Sequence, residues 1–387
     1  MPERDYSLEA TSPVEGDPTE EREGAQPGLA LCLSGGGYRA MLFHVGSLWR
    51  LNELGYLPKL ERISSVSGGS ITAGTLGRNW RRLQFDGRGM ANNLGQCLVE
   101  PIREVAARTI DEASIIGGIL SPESISERVT DAYRKHIFGS ATLQDLPDRP
   151  RFVINATNVQ TGTLWRFSKP YMADYKVGMI KSPQEEIAVA VAASSSFPPV
   201  LSPFRLELDP GRFDAESKGP LHKIPFTSDV VLTDGGVYDN LGLETAWKRY
   251  QTILVSDGGG QMAPEAEPKG DWARHGLRVN SIIDNQVRDL RKRQVIAGFQ
   301  RGDKSGTYWG IRSQVDSYGP PAGSLPCPEP STRALAQLRT RLKRLDDVVQ
   351  ERLINWGYAI CDVALRRWVV PEADPPDGFP YPAAGVG

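Results

Sequence analysis

The sequence predicts an α/β fold with a mostly parallel central sheet, covered by helices on both faces. Short, unbroken apolar runs recur along the chain, each run stops at a turn marked by glycine, asparagine, aspartate or proline, and helical patterns follow the first two. Strands buried on both faces lose the apolar-polar alternation of a half-exposed sheet, so unbroken apolar runs mark them.

The first run, Leu29-Ala30-Leu31-Cys32-Leu33, stops at Ser34-Gly35-Gly36-Gly37 and opens into a helical segment from Tyr38 to Leu54. A second, Ile63 to Val66, stops at Ser67-Gly68-Gly69 and leads into a helix over Ser70–Trp80. Further buried strands are expected at Phe152–Ala156, Asp229–Leu232 and Thr252–Val255. Residues 97–137 read as helical, and so does Asn280–Gln300, where Ile282, Ile283, Val287, Leu290 and Val295 fit one face. Ala334–Leu353 spaces Leu335, Leu338, Leu342, Leu345, Val348 and Val349 at helical steps, with Arg339, Arg341, Lys343 and Arg344 between them. Such a basic amphipathic helix either packs on the core with a solvated basic face or binds an anionic membrane.

Residues 1–27 are acidic and proline-rich with little to bury, which predicts a disordered arm, and residues 371–387 predict a flexible tail. Between them a catalytic core over 28–260 and a helical C-terminal part over 261–370 are expected, with no linker separating two domains. The 387 residues are 40% apolar and 24% charged, and the net charge of −2 gives no electrostatic reason to expect a nucleic-acid partner. Cys32, Cys97, Cys327 and Cys361 are widely spaced, as free thiols in a reducing compartment would be. No run of apolar residues approaches a membrane span, and the acidic N-terminus lacks the pattern of a secretory leader, so a cytoplasmic location is expected. Peripheral contact with a membrane stays compatible with this, and the oligomeric state is not legible.

Ser67 sits where a strand turns sharply into a helix, the setting of a nucleophile elbow with its hydroxyl projecting. Close approach of strand and helix there demands small residues two positions either side: Gly69 fits, Gly68 lies between, and Ser65 stands where glycine is usual. The loop Ser34-Gly35-Gly36-Gly37-Tyr38-Arg39 opens a helix, where backbone N–H groups and the helix dipole can hold an oxyanion. Gly35, Gly37 and Ala40 also match a dinucleotide fingerprint, but the next strand ends at Ser67 rather than at the acidic residue which that fingerprint expects. Asp234, followed by Gly235 and Gly236, ends one apolar strand, and Asp257, followed by Gly258 and Gly259, ends another. The residues alone leave the two aspartates as equal candidates for a base facing the serine.

These elements, in this order, resemble the patatin-like phospholipase family: a G-G-G-x-R loop, a G-x-S-x-G elbow about thirty residues on, and a late D-G-G. The resemblance extends over Asn155-Ala156-Thr157-Asn158 and Ala188–Pro199, and in all over about Leu29 to Gly260. It implies a three-layer α/β/α fold and hydrolysis of acyl esters of lipids by a Ser-Asp dyad through an acyl-enzyme, without metal or organic cofactor. Carried over residue by residue, it makes Ser67 the nucleophile and Asp234 the base, because Asp234 to Asn240 reproduces the family's D-G-G-x-x-x-N and Asp257 does not. It assigns the oxyanion hole to Gly35, Gly36, Gly37 and Arg39. The proline that usually follows that asparagine is absent, since Leu241 and Gly242 stand there.

The substrate is less defined. Phe197, Pro198, Pro199, Val200, Leu201 and Phe204 form an apolar loop that suits an acyl-chain channel or a packed surface loop, and small soluble esters remain an alternative to lipids. A catalytically inactive module holding a phosphate or nucleotide on the glycine loop is the alternative from a different class. Of the four histidines, only His275 lies where a Ser-acid-His triad in chain order could use it, whereas His44 and His136 read as structural and His222 lies in a polar connection.

Overall fold

The computed structural model describes residues 25–110, 122–199 and 201–387. Most of the arm expected over 1–27 lies outside these residues, but its boundary is corrected. Gln26 and Pro27 already belong to strand β1 (Gln26–Leu33), and the Gln26 N–H donates to the Arg249 carbonyl at 2.7 Å.

Among the described residues ten strands form one sheet. Its mostly parallel centre runs in the order β10 (Ser305–Gly310), β9 (Tyr250–Asp257), β1, β2 (Leu60–Val66) and β3 (Arg151–Asn158). Beyond β3, antiparallel strands β4 (Thr163–Ser168), β5 (Tyr171–Asp174) and β6 (Gly178–Lys181) extend the sheet. Strand β8 (Asp229–Asp234) pairs antiparallel with β3 on one side and with β7 (Phe204–Glu207) on the other.

Alternation along β1 divides the core in two. Leu29, Leu31 and Leu33 point into the main core, under helices α1 (Gly37–Glu53) and α2 (Gly68–Asn79), whereas Ala30 and Cys32 meet Leu241, Leu243, Ala246 and Val295 on the other face. Helices α3 (Glu100–Ala106), α4 (Pro122–Tyr133) and α5 (Ile187–Ser194) complete the main layer, so the expected helical stretch over 97–137 is met in pieces, with 111–121 outside the described residues. The long helix α6 (Trp272–Arg301) covers the opposite face.

The C-terminal part departs from its sequence pattern. Of the residues expected to line one apolar face of α6, only Val295 is buried, while Ile282, Ile283, Val287 and Leu290 are exposed. Ion pairs hold this helix instead, from Lys292 to Asp257 at 2.9 Å and from Arg291 to Glu244 and Asp239. The single helix expected over Ala334–Leu353 is split into α7 (Glu329–Ala336) and α8 (Asp347–Trp368). Tertiary hydrogen bonds displace the helix between them: the Tyr38 N–H donates to Arg341 O, the Ile110 N–H to Leu342 O and the Leu345 N–H to Ala106 O. Helix α8 packs on α1 and anchors the last residues, where Asn355 Nδ2 donates to Tyr381 O and Gly385 O at 2.8 and 2.7 Å. The stretch 371–387, expected as a flexible tail, is docked by these bonds. No helix of the described residues is long and apolar enough to cross a membrane.

Candidate active site

The sheet topology brings two strand ends together. Strands β2 and β8 pair with the same edge of β3 but run in opposite directions, and they meet head-on: Val66 is opposite Asn155, and Asp234 is opposite the next residue, Ala156. Ser67, one residue beyond Val66, therefore arrives beside the Asp234 carboxylate, nearly 170 residues away in sequence.

Ser67 has φ 52° and ψ −120°, a conformation that a residue with a Cβ seldom adopts, at a cost of about 1–3 kcal/mol. A buried network holds it there. The Ser67 N–H donates to Ser194 Oγ at 3.0 Å, Ser194 Oγ donates to Asn155 O at 2.6 Å, and Ser70 Oγ joins Ser194 to Ser65. Ser65, in place of the usual glycine, thus adds a hydroxyl that the network uses. The same stretch positions the aspartate, because the Asp234 N–H donates to Ser196 O at 3.0 Å and the Gly235 N–H to Ser194 O at 3.2 Å. Sequence reasoning matched Ala188–Pro199 to a pattern but gave Ser194 no role; its position, at the end of a helix between two distant loops, leaves no local signal. Ser194→Ala, which orphans the Ser67 N–H, is expected to cost about 1–3 kcal/mol in stability and to lower turnover, as read by a thermal melt and by kcat.

Burial raises the Asp234 carboxyl pKa from 3.8 to about 6, against the Ser67 hydroxyl, the Gly236 N–H and the Arg288 charge, all of which favour the ionised form. Gly236 donates to Oδ1 at 2.7 Å, whereas the buried Oδ2 has no well-formed hydrogen bond among the described residues. Asp257 is different. Burial acts on it too, but Lys292, Tyr308 Oη at 2.7 Å and the Gly259 N–H at 2.9 Å hold its pKa far below the usual carboxylate range. Every part of Asp257 is engaged in structure, which separates two aspartates that looked alike in sequence.

The glycine loop is only partly as expected. The Gly35 N–H is taken by Asn240 O at 3.0 Å, and the Arg39 side chain turns away to Gly258 O, Leu338 O and Thr340 Oγ1, stapling the loop to the C-terminal segment. Gly36 and Gly37 keep N–H groups without an acceptor among the described residues, and so does Gly68. Gly37 has φ 61°, and a Cβ there would lie 2.6 Å from Arg341 O, so this position admits only glycine. His44 locks the loop from behind: its Nε2 bonds Ser34 O at 2.9 Å and its Nδ1 bonds Ser256 Oγ at 2.8 Å, while burial lowers its pKa to about 4. His222 Nδ1 donates to Val177 O at 3.0 Å, and His275 stands exposed on the first turn of α6.

Above Ser67 lies a pocket of about 200 Å³, walled by Phe197, Pro198, Pro199 and Leu201 on one side and by Thr340, Arg341 and Leu342 on another. Phe197 is half-exposed at this pocket, and Phe204 is buried in β7. Val200 lies outside the described residues.

The sequence model of a family described as patatin-like phospholipase matches residues 31–247. Among solved structures, the chain is similar to human GIVD cytosolic phospholipase A2 at 13% identity and a TM-score of 0.42, over 64% of this chain and 50% of that one. In its complex with methyl gamma-linolenyl fluorophosphonate, the human protein aligns over 88% of this chain and 58% of its own at 14% identity, with a TM-score of 0.51. VipD from Legionella pneumophila aligns at 15% identity over 87% of this chain and 66% of its own, with a TM-score of 0.34. The chain spans about half the length of the human structures, and no curated protein matches its sequence.

Proposed function

The chain belongs to the patatin-like phospholipase family, and from that premise we propose that it hydrolyses acyl esters of lipids, with Ser67 as nucleophile and Asp234 as general base. One observation carries the reading: Ser67, strained at its elbow, lies against a carboxylate whose Oδ2 has no well-formed hydrogen bond among the described residues. In the first half-reaction Oδ2 takes the Ser67 proton as Oγ attacks the acyl carbonyl. The N–H groups of Gly36, Gly37 and Gly68 face the developing oxyanion, and the proton passes to the departing alkoxide. Water then cleaves the acyl-enzyme, giving its proton to Asp234 and regenerating the Ser67 hydroxyl. The apolar wall of Phe197, Pro198, Pro199 and Leu201 suits an acyl chain and favours a lipid over a small polar ester.

A fluorophosphonate probe tests the reading directly. A hydrolase of this kind is labelled once, at Ser67, and turns over at least one lipid ester in a panel, whereas an inactive binding module is neither labelled nor active. Since His44 is locked in structure and His275 is exposed, His275→Gln is expected to leave kcat within about twofold of the parent, well short of the loss that removing a general base brings. Loss of turnover in a folded His275→Gln protein would replace the dyad with a triad.

A further inference from the structure

A second concavity of about 170 Å³ adjoins the ester pocket, and Arg341 lines both. Its wall carries Arg339, Arg341, Lys343 and Arg344 beside Tyr38 and Leu345, and no acidic residue lines it among the described residues. The segment that builds it is irregular but fixed. Its backbone is tied at Arg341 to Tyr38, at Leu342 to Ile110, at Arg344 to Thr109 and at Leu345 to Ala106, with bonds of 2.9 to 3.1 Å. Arg339, Lys343 and Arg344 are exposed and make no ion pair among the described residues, so their like charges repel one another across the concavity. Guanidinium and ammonium groups converging on a concave wall are what a phosphate demands: several donors, fixed positive charge and no competing carboxylate.

We propose that this basic concavity is a head-group subsite that binds the phosphate of a net-anionic lipid while the ester carbonyl of the same molecule lies at Ser67. The proposal rests on the hydrolase reading above and adds a preference to it. A lipid bearing an uncompensated phosphate fits, whereas a choline head group brings a cation toward a wall whose charged side chains are arginine and lysine. The segment lies beyond residue 247, where the family match ends, so the preference belongs to the C-terminal part of this chain rather than to the shared core. A concavity that shares a wall with the ester pocket fits one head group better than the flat surface of a bilayer does.

The test uses the full chain and its triple variant Arg339→Gln/Lys343→Gln/Arg344→Gln. The substrates are two short-chain monoacyl lipids kept below their aggregation concentration, one with a phosphate and one with a neutral glycerol head group. The parent is expected to favour the phosphate substrate by about tenfold or more in kcat/KM, and the variant to lose that preference through KM alone, with the neutral substrate unchanged. Inorganic phosphate is expected to compete with the phosphate substrate in the parent and not in the variant. Equal kcat/KM on both substrates in the parent, or an equal loss on both in the variant, overturns the subsite while leaving the hydrolase reading intact. A variant unchanged on dispersed substrate but slower on vesicles of anionic phospholipid identifies a membrane-docking patch and overturns it as well. Absence of turnover on either substrate, with no fluorophosphonate labelling, removes the hydrolase reading and the subsite with it.

Discussion

Ser67→Ala is expected to lower ester turnover by about 10⁴-fold or more, because the variant has no nucleophile and retains only binding and oxyanion stabilisation. The fold should survive. The Ser67 N–H bond to Ser194 Oγ, 3.0 Å in the parent, does not use the hydroxyl, whose loss removes only its hydrogen bond to the Asp234 carboxylate. Circular dichroism and a thermal melt check the fold, fluorophosphonate labelling checks the site, and a lipid-panel assay checks turnover. Substantial hydrolysis by the folded variant would overturn the assignment and direct attention to Ser70, which lies in the same hydroxyl network.

Asp234→Asn is expected to cost about 10²–10⁴ in kcat, the usual contribution of a general base, while Asp257→Asn keeps most of the activity. Stability should move the other way in the two variants. Because the pKa of Asp234 is raised to about 6 in the fold, the protonated form is the favoured one. The associated stability is full below pH 3.8 and is lost as pH rises to about 6, which leaves the ionised group at neutral pH destabilising by about 3 kcal/mol. Asparagine removes that charge, so Asp234→Asn should melt higher than the parent at pH 7. The pKa of Asp257 is depressed, so its contribution is present above the ordinary carboxylate pKa and is lost as pH falls. Asp257→Asn leaves Lys292 and Tyr308 without their anion and should melt lower, by about 1–3 kcal/mol. Turnover of the parent should fall as pH drops through about 6, where Asp234 takes up its proton. An acid limb that vanishes in His275→Gln, or a melting shift of the same sign in both aspartate variants, contradicts the dyad.

Periodicity and turn chemistry made much of this protein legible. Strands β1, β2, β3, β8 and β9 each contain a short apolar stretch, and α1 and α2 follow glycine turns, so local pattern and tertiary burial agree there. The antiparallel strands β4 to β7 and the edge strand β10 escaped notice. They are four to six residues long and mix polar with apolar side chains, so their pairing partners rather than their composition define them. The helical pattern over Ala334–Leu353 was real as a pattern, yet hydrogen bonds to Tyr38, Ala106 and Ile110 outweighed it between residues 337 and 346.

The sequence by itself determined the elbow at Ser67, the glycine loop before it and the family to which both belong, because these depend on short-range backbone geometry that few residue types permit. The family motif D-G-G-x-x-x-N favoured Asp234 over Asp257, but only the tertiary structure supplies the physical difference between them. Both end apolar strands and both precede two glycines, but β8 runs head-on into β2 along the edge of β3 while β9 lies beyond β1, so one carboxylate meets Ser67 and the other is neutralised by Lys292. Contacts between residues nearly 170 positions apart decided which aspartate faces the serine, and others across 219 positions turned Arg39 away from the oxyanion loop toward Gly258. Such contacts follow from how strands pair and helices cover them, and no window of local sequence records that.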